Sequence, residues 1–484
     1  MRTRPLLLLA CIAAIGCTTT PPELLPPPFG PDTSQPSPAR LYWPTGLAMD
    51  PNGQFLLVAN GNFDHAFAGG TIFALKVAKD PKNPKSDELL GQHGTVAFDP
   101  SFVVPGGAVM VGSYLGPLVL DQTATTGSEF RSAYSGSRDT NRLNGVTVTR
   151  EGTLGCRTGA GSSPGPDCRN GILDLGKLVN LEGPFGIAFG TATPIGLTLP
   201  KPVMFVSALI PHLDSLSNGI ANLSSPVAVL DSNNPAQLLF SALATDPFTA
   251  SGIGAGPIVF DDVRRQLILG GCYVRFPGAT QGGQLSSGKC LPGTGSNVLR
   301  FLGVDSGSAS FSRVYDLGAD LRSNDTVALE LAPIDPTTGD RKLYAACRNP
   351  DLIGEIVIPS DPALSPIVRR TTSLSPFPSQ MHRLQRPAGS PGPDLLAITT
   401  GTLTIGQTTP SMLTIFDPAQ GRVVGQVENL GDTPFAIAQL PPQDTDTSAK
   451  LFLSVFAGCR IAVVDVPYDR PWEVSAQALI GSCP

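Results

Sequence analysis

One short motif recurs along most of the chain, and this repetition limits the possible folds more than any other feature. In its clearest copies, a Pro-containing apolar run is followed by a turn and then by strand-like runs rich in β-branched residues. These copies begin at Pro44, Pro184 and Pro434. Weaker copies fill the gaps, so that seven units of roughly 60 residues cover residues 41–467.

Short strands at this spacing predict an all-β protein, because Gly and Pro punctuate them and no long amphipathic helical pattern competes. The 484 residues include 53 Gly and 48 Pro, while only 15% are charged. This composition excludes a disordered chain and a coiled coil, both of which need more charged residues. We therefore expect a single β-propeller in residues 41–484, with seven blades of four antiparallel strands, each blade burying one face against the next.

The repeat unit also resembles a known group of propellers. Residues 55–60, a loop and residues 70–75 follow the order of the lactonase-like, or Tyr-Val-Thr-Asn-repeat, proteins, in which a "lyvaN" strand precedes a "G-ti-vid" strand. The resemblance covers most of residues 41–467 and supports the propeller fold. Because the group is mixed in function, it leaves two alternatives open. The propeller is a binding or scaffolding module, or it is an enzyme that hydrolyses lactones.

The N-terminus has the pattern of an export signal. Arg2 and Arg4 precede an apolar run over residues 6–15, which is too short for a bilayer that needs ~20 residues. The sequence Ala-Ile-Gly-Cys at residues 14–17 resembles the bacterial lipobox, which implies a lipoprotein signal peptide over residues 1–16 and a lipid on Cys17. The alternative is an ordinary signal peptide in which Cys17 is incidental. Thr18, rather than Asp, follows the cysteine, and the enterobacterial sorting rule then favours the outer membrane.

Residues 17–40 form the predicted linker between the lipid and the propeller. Eight prolines lie among residues 18–40, which favours an extended spacer. We expect the lipid to anchor the protein in the bacterial cell envelope, where its partner is an envelope protein or a small ligand. With 33 Lys and Arg against 39 Asp and Glu, the chain lacks the basic surface of a nucleic-acid-binding protein.

Seven cysteines remain outside the signal peptide and the lipid site, and an oxidising compartment makes disulfides the default. Cys156 and Cys168 bracket a loop rich in Gly and Pro, and a second bracketing pair encloses the longest insertion. That second pair is Cys272 and Cys290. The last pair, Cys459 and Cys483, could tie the tail to the last blade and close the ring covalently. Cys347 is then left over, as a buried free thiol or a nucleophile, and we favour the thiol.

The loops between the second and third strands of the blades should share one face, and insertions gathered on one face often mark a functional surface. The residues that could converge there, around the channel mouth, are Asp64, His65, His212, Asp214, Arg348 and Asp351. The alternative, which we favour for each pair, is that they are separate solvated side chains.

The sequence predicts no catalytic residue and no metal ligand. Residues 161–165 fit the Gly-x-Ser-x-Gly hydrolase pattern only literally, because they lie in a predicted disulfide loop rather than between a strand and a helix. The four histidines lack zinc-site spacing. No cofactor is predicted. The alternation of Asn60, Asn62 and Asp64 suggests calcium as an alternative, although a hydrogen-bonded turn explains these residues more simply.

Overall fold

The computed structural model describes most of the chain after the N-terminal segment. The described residues are 27–28, 38–121, 130–159, 161–163, 165–193, 199–210, 212–217, 220–224, 226–243, 253–254, 256–273, 298–303, 311–316, 318–321, 323, 325–348, 350–390, 392–401 and 411–483. The predicted signal peptide, Cys17 and Cys290 lie outside them. Within these ranges, no helix is long and apolar enough to cross a membrane.

The first two blades are built from residues 44–174. Blade 1 contains β1 (Pro44–Met49), β2 (Phe55–Asn60), β3 (Gly70–Lys76) and β5 (Val103–Val111), with the short strand β4 (Gly94–Val96) in the loop before β5. The same loop carries two 3-10 turns, Leu89–Gly91 and Pro100–Phe102. Blade 2 contains β6 (Val119–Leu120), β7 (Phe130–Ser137), β8 (Arg142–Thr149) and β9 (Leu154–Thr158), extended by β10 (Gly161–Ser163) and β11 (Leu173–Asp174).

A short helix, α1 (Leu175–Val179), leads into the next two blades. Blade 3 contains β12 (Glu182–Ala192), β13 (Lys201–Ile210), β16 (Pro226–Asp231) and β17 (Leu238–Leu243), with the separate hairpin β14 (His212–Ser217) and β15 (Ile220–Ser224) between its second and third strands. The small strand β18 (Ile253–Gly254) pairs with β21 (Cys272–Tyr273). Blade 4 contains β19 (Ile258–Asp261), β20 (Gln266–Leu269), β22 (Val298–Gly303) and β23 (Phe311–Asp316).

The short helix α2 (Gly318–Leu321) precedes the last three blades. Blade 5 contains β24 (Asp325–Ile334), β25 (Arg341–Arg348), β26 (Leu352–Ile358) and β27 (Ile367–Ser373). Blade 6 contains β28 (Pro378–Arg383), β29 (Leu396–Thr400), β30 (Met412–Asp417) and β31 (Arg422–Glu428). Blade 7 contains β32 (Pro434–Gln439), β33 (Ser448–Val455), β34 (Arg460–Pro467) and β35 (Ser475–Ile480), with a 3-10 turn at Pro471–Glu473.

These sheets confirm the predicted seven-bladed β-propeller. The first strands of neighbouring blades contact each other, as β32 does with β1 and β24 does with β28, so they surround the central axis. Because the strands alternate in direction, the loops from second to third strands and the connections between blades share one face, which we call the loop face. The turns within the other strand pairs lie on the opposite face, which we call the turn face.

The blades bury both surfaces of their middle strands against neighbouring blades. All six residues of β2 and all six of β30 are buried. One apolar cluster joins blades 1 and 7, where Val58 and Phe73 pack with Phe452 and Val463. A strand covered on both surfaces does not need alternating polar residues, and this explains the continuous apolar runs in the sequence.

The first strands of three blades begin on the loop face after a residue with a strained backbone. In blades 1, 6 and 7 each begins with a proline, which needs no ladder donor at that place. The residue before it has a left-handed backbone that non-glycine residues adopt at a cost of about 1–3 kcal/mol: Trp43 (φ 51°), Phe377 (φ 58°) and Thr433 (φ 59°). Each carbonyl accepts an N–H at the end of the second strand, as Trp43 does from Gly61 at 2.8 Å. Because three blades share this geometry, it is a device of the repeat.

The ring closes without a covalent link between its first and last blades. All four strands of blade 7 come from the C-terminal part of the chain, and β4 from blade 1 pairs in parallel with its outer strand β35. The disulfide between Cys459 and Cys483 joins the hairpin after β33 to the tail after β35. This disulfide therefore ties the tail to blade 7, and the expectation that it closes the ring covalently is wrong, because both cysteines belong to the same blade.

The other cysteines have structural positions too. A disulfide joins Cys156 in β9 to Cys168. Cys272 lies in β21, and its predicted partner Cys290 is outside the described residues. Cys347 is a buried free thiol, and its sulfur lies 3.7 Å from the Thr326 hydroxyl near the start of the first strand of blade 5.

Hydroxyl groups take the place of Cys347 in other blades. The Ser207 hydroxyl donates to the carbonyl of Gly256 in the connection to blade 4 at 3.1 Å. The Thr399 hydroxyl donates to the carbonyl of Phe435 in the first strand of blade 7 at 2.8 Å. These bonds join one blade to the next, so we interpret Cys347 as a member of a repeated structural position rather than as a nucleophile.

Candidate functional site

The six residues singled out in the sequence lie at three separate positions on the loop face. Asp64 and His65 lie in the loop between β2 and β3, His212 and Asp214 in β14, and Arg348 and Asp351 between β25 and β26. No contact in the described part of the chain joins one pair to another.

The loop of the first pair is held by turn hydrogen bonds. The Asp64 carboxylate accepts the N–H of Ala66 at 3.1 Å, and the Asn62 side chain donates to the carbonyl of Phe67 at 2.8 Å. The side chain of Asn60 donates to the Thr71 hydroxyl at 3.0 Å. The three oxygen-bearing residues considered for calcium thus bond to the protein itself. Over the described ranges, no group of three or more His, Cys, Asp or Glu side chains is arranged to hold a metal ion.

The second pair belongs to the hairpin that fills the predicted insertion of blade 3. His212 Nδ1 lies 2.6 Å from the Glu182 carboxylate at the start of β12. Asp214 falls at the irregular step of the hairpin ladder, between Leu213 and Ser215, and its side chain lies outside the described part. This pair therefore has one polar contact that ties the hairpin back to its own blade.

The third pair forms an ionic junction between blades 5 and 6. Arg348 donates from Nε to the carbonyl of Pro378 at 2.8 Å and from Nη2 to the Ser379 hydroxyl at 3.3 Å. Burial raises the pKa of Asp325 and of Asp351, and the positive charge of Arg348 opposes both shifts. Burial in turn lowers the pKa of Arg348. Arg348 therefore compensates two carboxylates and holds the next blade.

A different group of side chains forms the most distinctive surface of the loop face. Four aromatic rings of blades 7, 1 and 2 contact one another, and Phe185 of blade 3 is linked to them through Arg138. We call these five side chains the aromatic cluster: Trp43, Phe63, Tyr114, Phe185 and Phe456. The ring of Phe63 lies 4.7 Å from Tyr114 and 4.8 Å from Phe456 between centroids. Trp43 lies 5.0 Å from Phe456. All five are partly exposed, and residues of four blades can meet this closely only near the axis.

Arg138 connects the two ends of the cluster. It directly follows β7, and its guanidinium lies over the ring of Phe63 at 5.1 Å and over that of Phe185 at 5.9 Å. Its Nε donates to the carbonyl of Tyr114 at 3.2 Å. Burial lowers the pKa of Arg138. A cation over aromatic faces gains about 0.5–2 kcal/mol, more as water is excluded.

One of the three predicted pairs borders this cluster. The imidazole of His65 lies 4.7 Å from the ring of Tyr114, while His65 itself is exposed and has a left-handed backbone. Within the described part of the chain, His65 is thus the one predicted residue that contacts the cluster, and the sequence patterns did not reveal the cluster itself. Its members are spread over more than 400 positions (43–456). One sequence pattern could have indicated the cluster: an aromatic residue at the loop-face end of a strand, as Trp43 is before Pro44.

The fold and this surface define a seven-bladed β-propeller with an aromatic and cationic patch at the axial end of its loop face. No protein-family model matches the chain, and no curated protein does. Solved structures resemble it weakly. A Dos1 propeller has 12% identity and a TM-score of 0.40, covering 88% of this chain and 81% of that one. A fucose-specific lectin from Aleuria aurantia has 12% identity and a TM-score of 0.34, covering 76% and 96%. Such values say nothing about ligands.

Proposed function

We propose that the chain is an exported, lipid-anchored binding module of the bacterial cell envelope, and that its ligand surface is the loop face. The propeller fold in general supports a binding or scaffolding module. The observation that carries the proposal is the aromatic cluster with Arg138 at the axial end of that face.

A group of partly exposed aromatic rings favours binding because contiguous apolar patches on soluble proteins often mark interaction sites. Aromatic rings and arginine are also the side chains most enriched where binding energy concentrates. Trp43, Phe63 and Phe456 belong to no buried core cluster, and they remain partly exposed. Their position near the axis gives a ligand access to several blades at once.

Export and anchoring rest on other features. The disulfides at Cys156 and at Cys459 are typical of proteins that fold in an oxidising compartment. The Pro-rich linker spans up to roughly 70 Å when extended at ~3.1 Å per residue, which is enough to hold the propeller away from a membrane. A lipid on Cys17 would supply the attachment.

Metabolic labelling with an alkyne-tagged fatty acid tests the anchor. We expect the wild-type protein and Cys11→Ser to take up the label, because Cys11 lies inside the signal peptide. The Cys17→Ser variant should lose the label and leave the membrane fraction. Labelled Cys17→Ser protein would contradict the anchoring proposal.

Photo-crosslinking in the native cells tests the ligand surface. A benzophenone amino acid replaces Phe63 in the aromatic cluster or, as the matched control, Val263, which is 61% exposed on the turn face. We expect an adduct from position 63 and none from position 263. Adducts from position 263 alone, or from neither position, would contradict a ligand surface on the loop face. The lactone-hydrolase alternative stays a prediction, since no contact in the described part favours it.

A further inference from the structure

We propose that the aromatic cluster binds a small ligand in which a carboxylate is attached to a ring, with Arg138 binding the carboxylate and the cluster contacting the ring. This inference rests on the proposed function and adds the chemical class of the ligand.

The hydrogen bonding of Arg138 leaves donors for an anion. A guanidinium has five N–H groups in a planar fork that matches a carboxylate, and Arg138 uses only Nε, toward the Tyr114 carbonyl. Among the described residues, its terminal nitrogens have no acceptor and Arg138 has no ion pair. The adjacent carboxylate, Asp139, instead accepts a hydrogen bond from the Ser137 hydroxyl at 2.7 Å. A carboxylate on the ligand would complete this site.

The rings around Arg138 define the second part of the ligand. Phe63 and Phe185 lie against the guanidinium, and Phe63 continues through Phe456 to Trp43 at centroid distances near 5 Å. An aromatic or sugar ring next to a carboxylate would pack on these faces while the charge reaches Arg138. A simple anion lacks that packing, and an uncharged ring lacks the charge-assisted hydrogen bonds.

The two tryptophans of the chain allow a specific measurement. Trp43 is in the cluster, whereas Trp472 is 63% exposed in the Pro471–Glu473 turn. A Trp472→Phe variant of the full-length lipoprotein, purified in detergent, keeps Trp43 as its single tryptophan reporter. The probes are phenylacetate and D-glucuronate, with phenylacetamide and D-glucose as their uncharged counterparts and acetate as a carboxylate without a ring.

We expect at least one ring carboxylate to change Trp43 fluorescence saturably, and its uncharged counterpart and acetate to bind at least tenfold more weakly. Arg138→Gln should weaken that binding at least tenfold, and Arg138→Lys should weaken it less because the charge remains. The control Arg150→Gln, at an exposed arginine on the turn face, should leave binding unchanged. Circular dichroism checks that each variant is folded.

Two results would overturn the inference. One is an equal response to a charged probe and its uncharged counterpart. The other is no response to either ring carboxylate up to about 10 mM, a concentration that detects even weak binding. Both comparisons use unmodified Arg138, so they hold even if Arg138→Gln fails to fold. A crosslink from position 63 without any probe response would reject this ligand class and leave the binding module standing.

Discussion

Arg138 and Arg348 lie at similar places in two blades but have opposite surroundings. Each lies at the loop-face end of a second strand. Each also contacts the residue that follows the proline near the start of the next blade, which is Phe185 for Arg138 and Ser379 for Arg348. Burial lowers the pKa of both guanidinium groups. Two carboxylates compensate Arg348, whereas aromatic rings surround Arg138.

This difference separates a structural cation from one that is available to a ligand. The charge of Arg348 stabilises two partly buried carboxylates while its hydrogen bonds reach blade 6, so removing it leaves those charges uncompensated. A cation that lies over aromatic rings compensates no neighbouring carboxylate, and it keeps N–H donors for an external anion. The loop face therefore has an ionic side at blades 5 and 6 and an aromatic side at blades 7, 1, 2 and 3.

The largest expected effect is the loss of stability in Arg348→Leu. We expect the free energy of unfolding to fall by about 3 kcal/mol, because Asp325 and Asp351 lose their cation and the Pro378 carbonyl loses its donor. Arg138→Leu should cost less than about 1 kcal/mol, since no carboxylate in the described part depends on it. Thermal and chemical unfolding of both variants measures these changes. Equal losses of stability in Arg348→Leu and Arg138→Leu would contradict the distinction between a structural and an available cation.

The Arg348→Leu deficit should also depend on pH. Arg348 favours the ionised forms of Asp325 and Asp351, so its contribution is present where they are ionised and is lost as they protonate. Burial raises the pKa of both carboxyls, so this loss begins at a higher pH than for exposed aspartates. We expect the deficit to shrink by about half between pH 7.5 and about 4.5, while that of Arg138→Leu stays constant.

A double variant provides the control for that pH effect. Adding Asp325→Asn to Arg348→Leu should restore about 1–2 kcal/mol at neutral pH, because the unpaired buried charge is gone. A double variant no more stable than the single one would show that Arg348 acts through its hydrogen bonds to blade 6 rather than through its charge.

A smaller effect is expected from Phe185→Leu. The change keeps an apolar side chain but removes one aromatic face from Arg138, so the best ring carboxylate should bind about threefold more weakly, with stability reduced by less than about 1 kcal/mol. Phe435→Leu is the matched control, because Phe435 takes the same place after the opening proline of blade 7 and packs against the core between blades 7 and 1. Equal binding losses in both variants would argue against a role for Phe185.

The smallest effect is expected from exchanging a thiol and a hydroxyl near the two arginines. Cys347 precedes Arg348, and Ser135 lies in β7 before Arg138, where its hydroxyl donates to the Gly116 carbonyl at 3.1 Å. Cys347→Ser replaces the thiol by a hydroxyl, and Ser135→Cys replaces the hydroxyl by a thiol. Each variant should change the free energy of unfolding by no more than about 0.5 kcal/mol. Cys347→Val should cost more, because it removes a polar contact to Thr326. A much larger loss of unfolding free energy in Cys347→Ser would show that the thiol does more than fill this repeated structural position.

The strands of the strong repeats were predictable from the sequence, and the weak repeat was not. Residues 55–60 and 226–231 form strands as expected, because their apolar runs are continuous. The apolar run at residues 108–111 by itself suggests a strand of the weak second unit, but it is the end of β5, the fourth strand of blade 1. A long insertion between β3 and β5 displaced it. The first strand of blade 2, Val119–Leu120, has only two residues and so gives almost no periodic signal.

The sequence by itself determined the all-β class and the seven repeats, whereas the long loops lie on both faces, with the insertion between β3 and β5 on the turn face. The class and the repeats follow from local patterns, because β-branched runs and turn residues act over a few positions. Only the tertiary structure decided which polar residues pair and which side chains meet at the axis. Trp43 and Phe456 are neighbours because the first and last blades close the ring, a contact that arises from packing over the whole chain and leaves no trace in any local stretch of sequence.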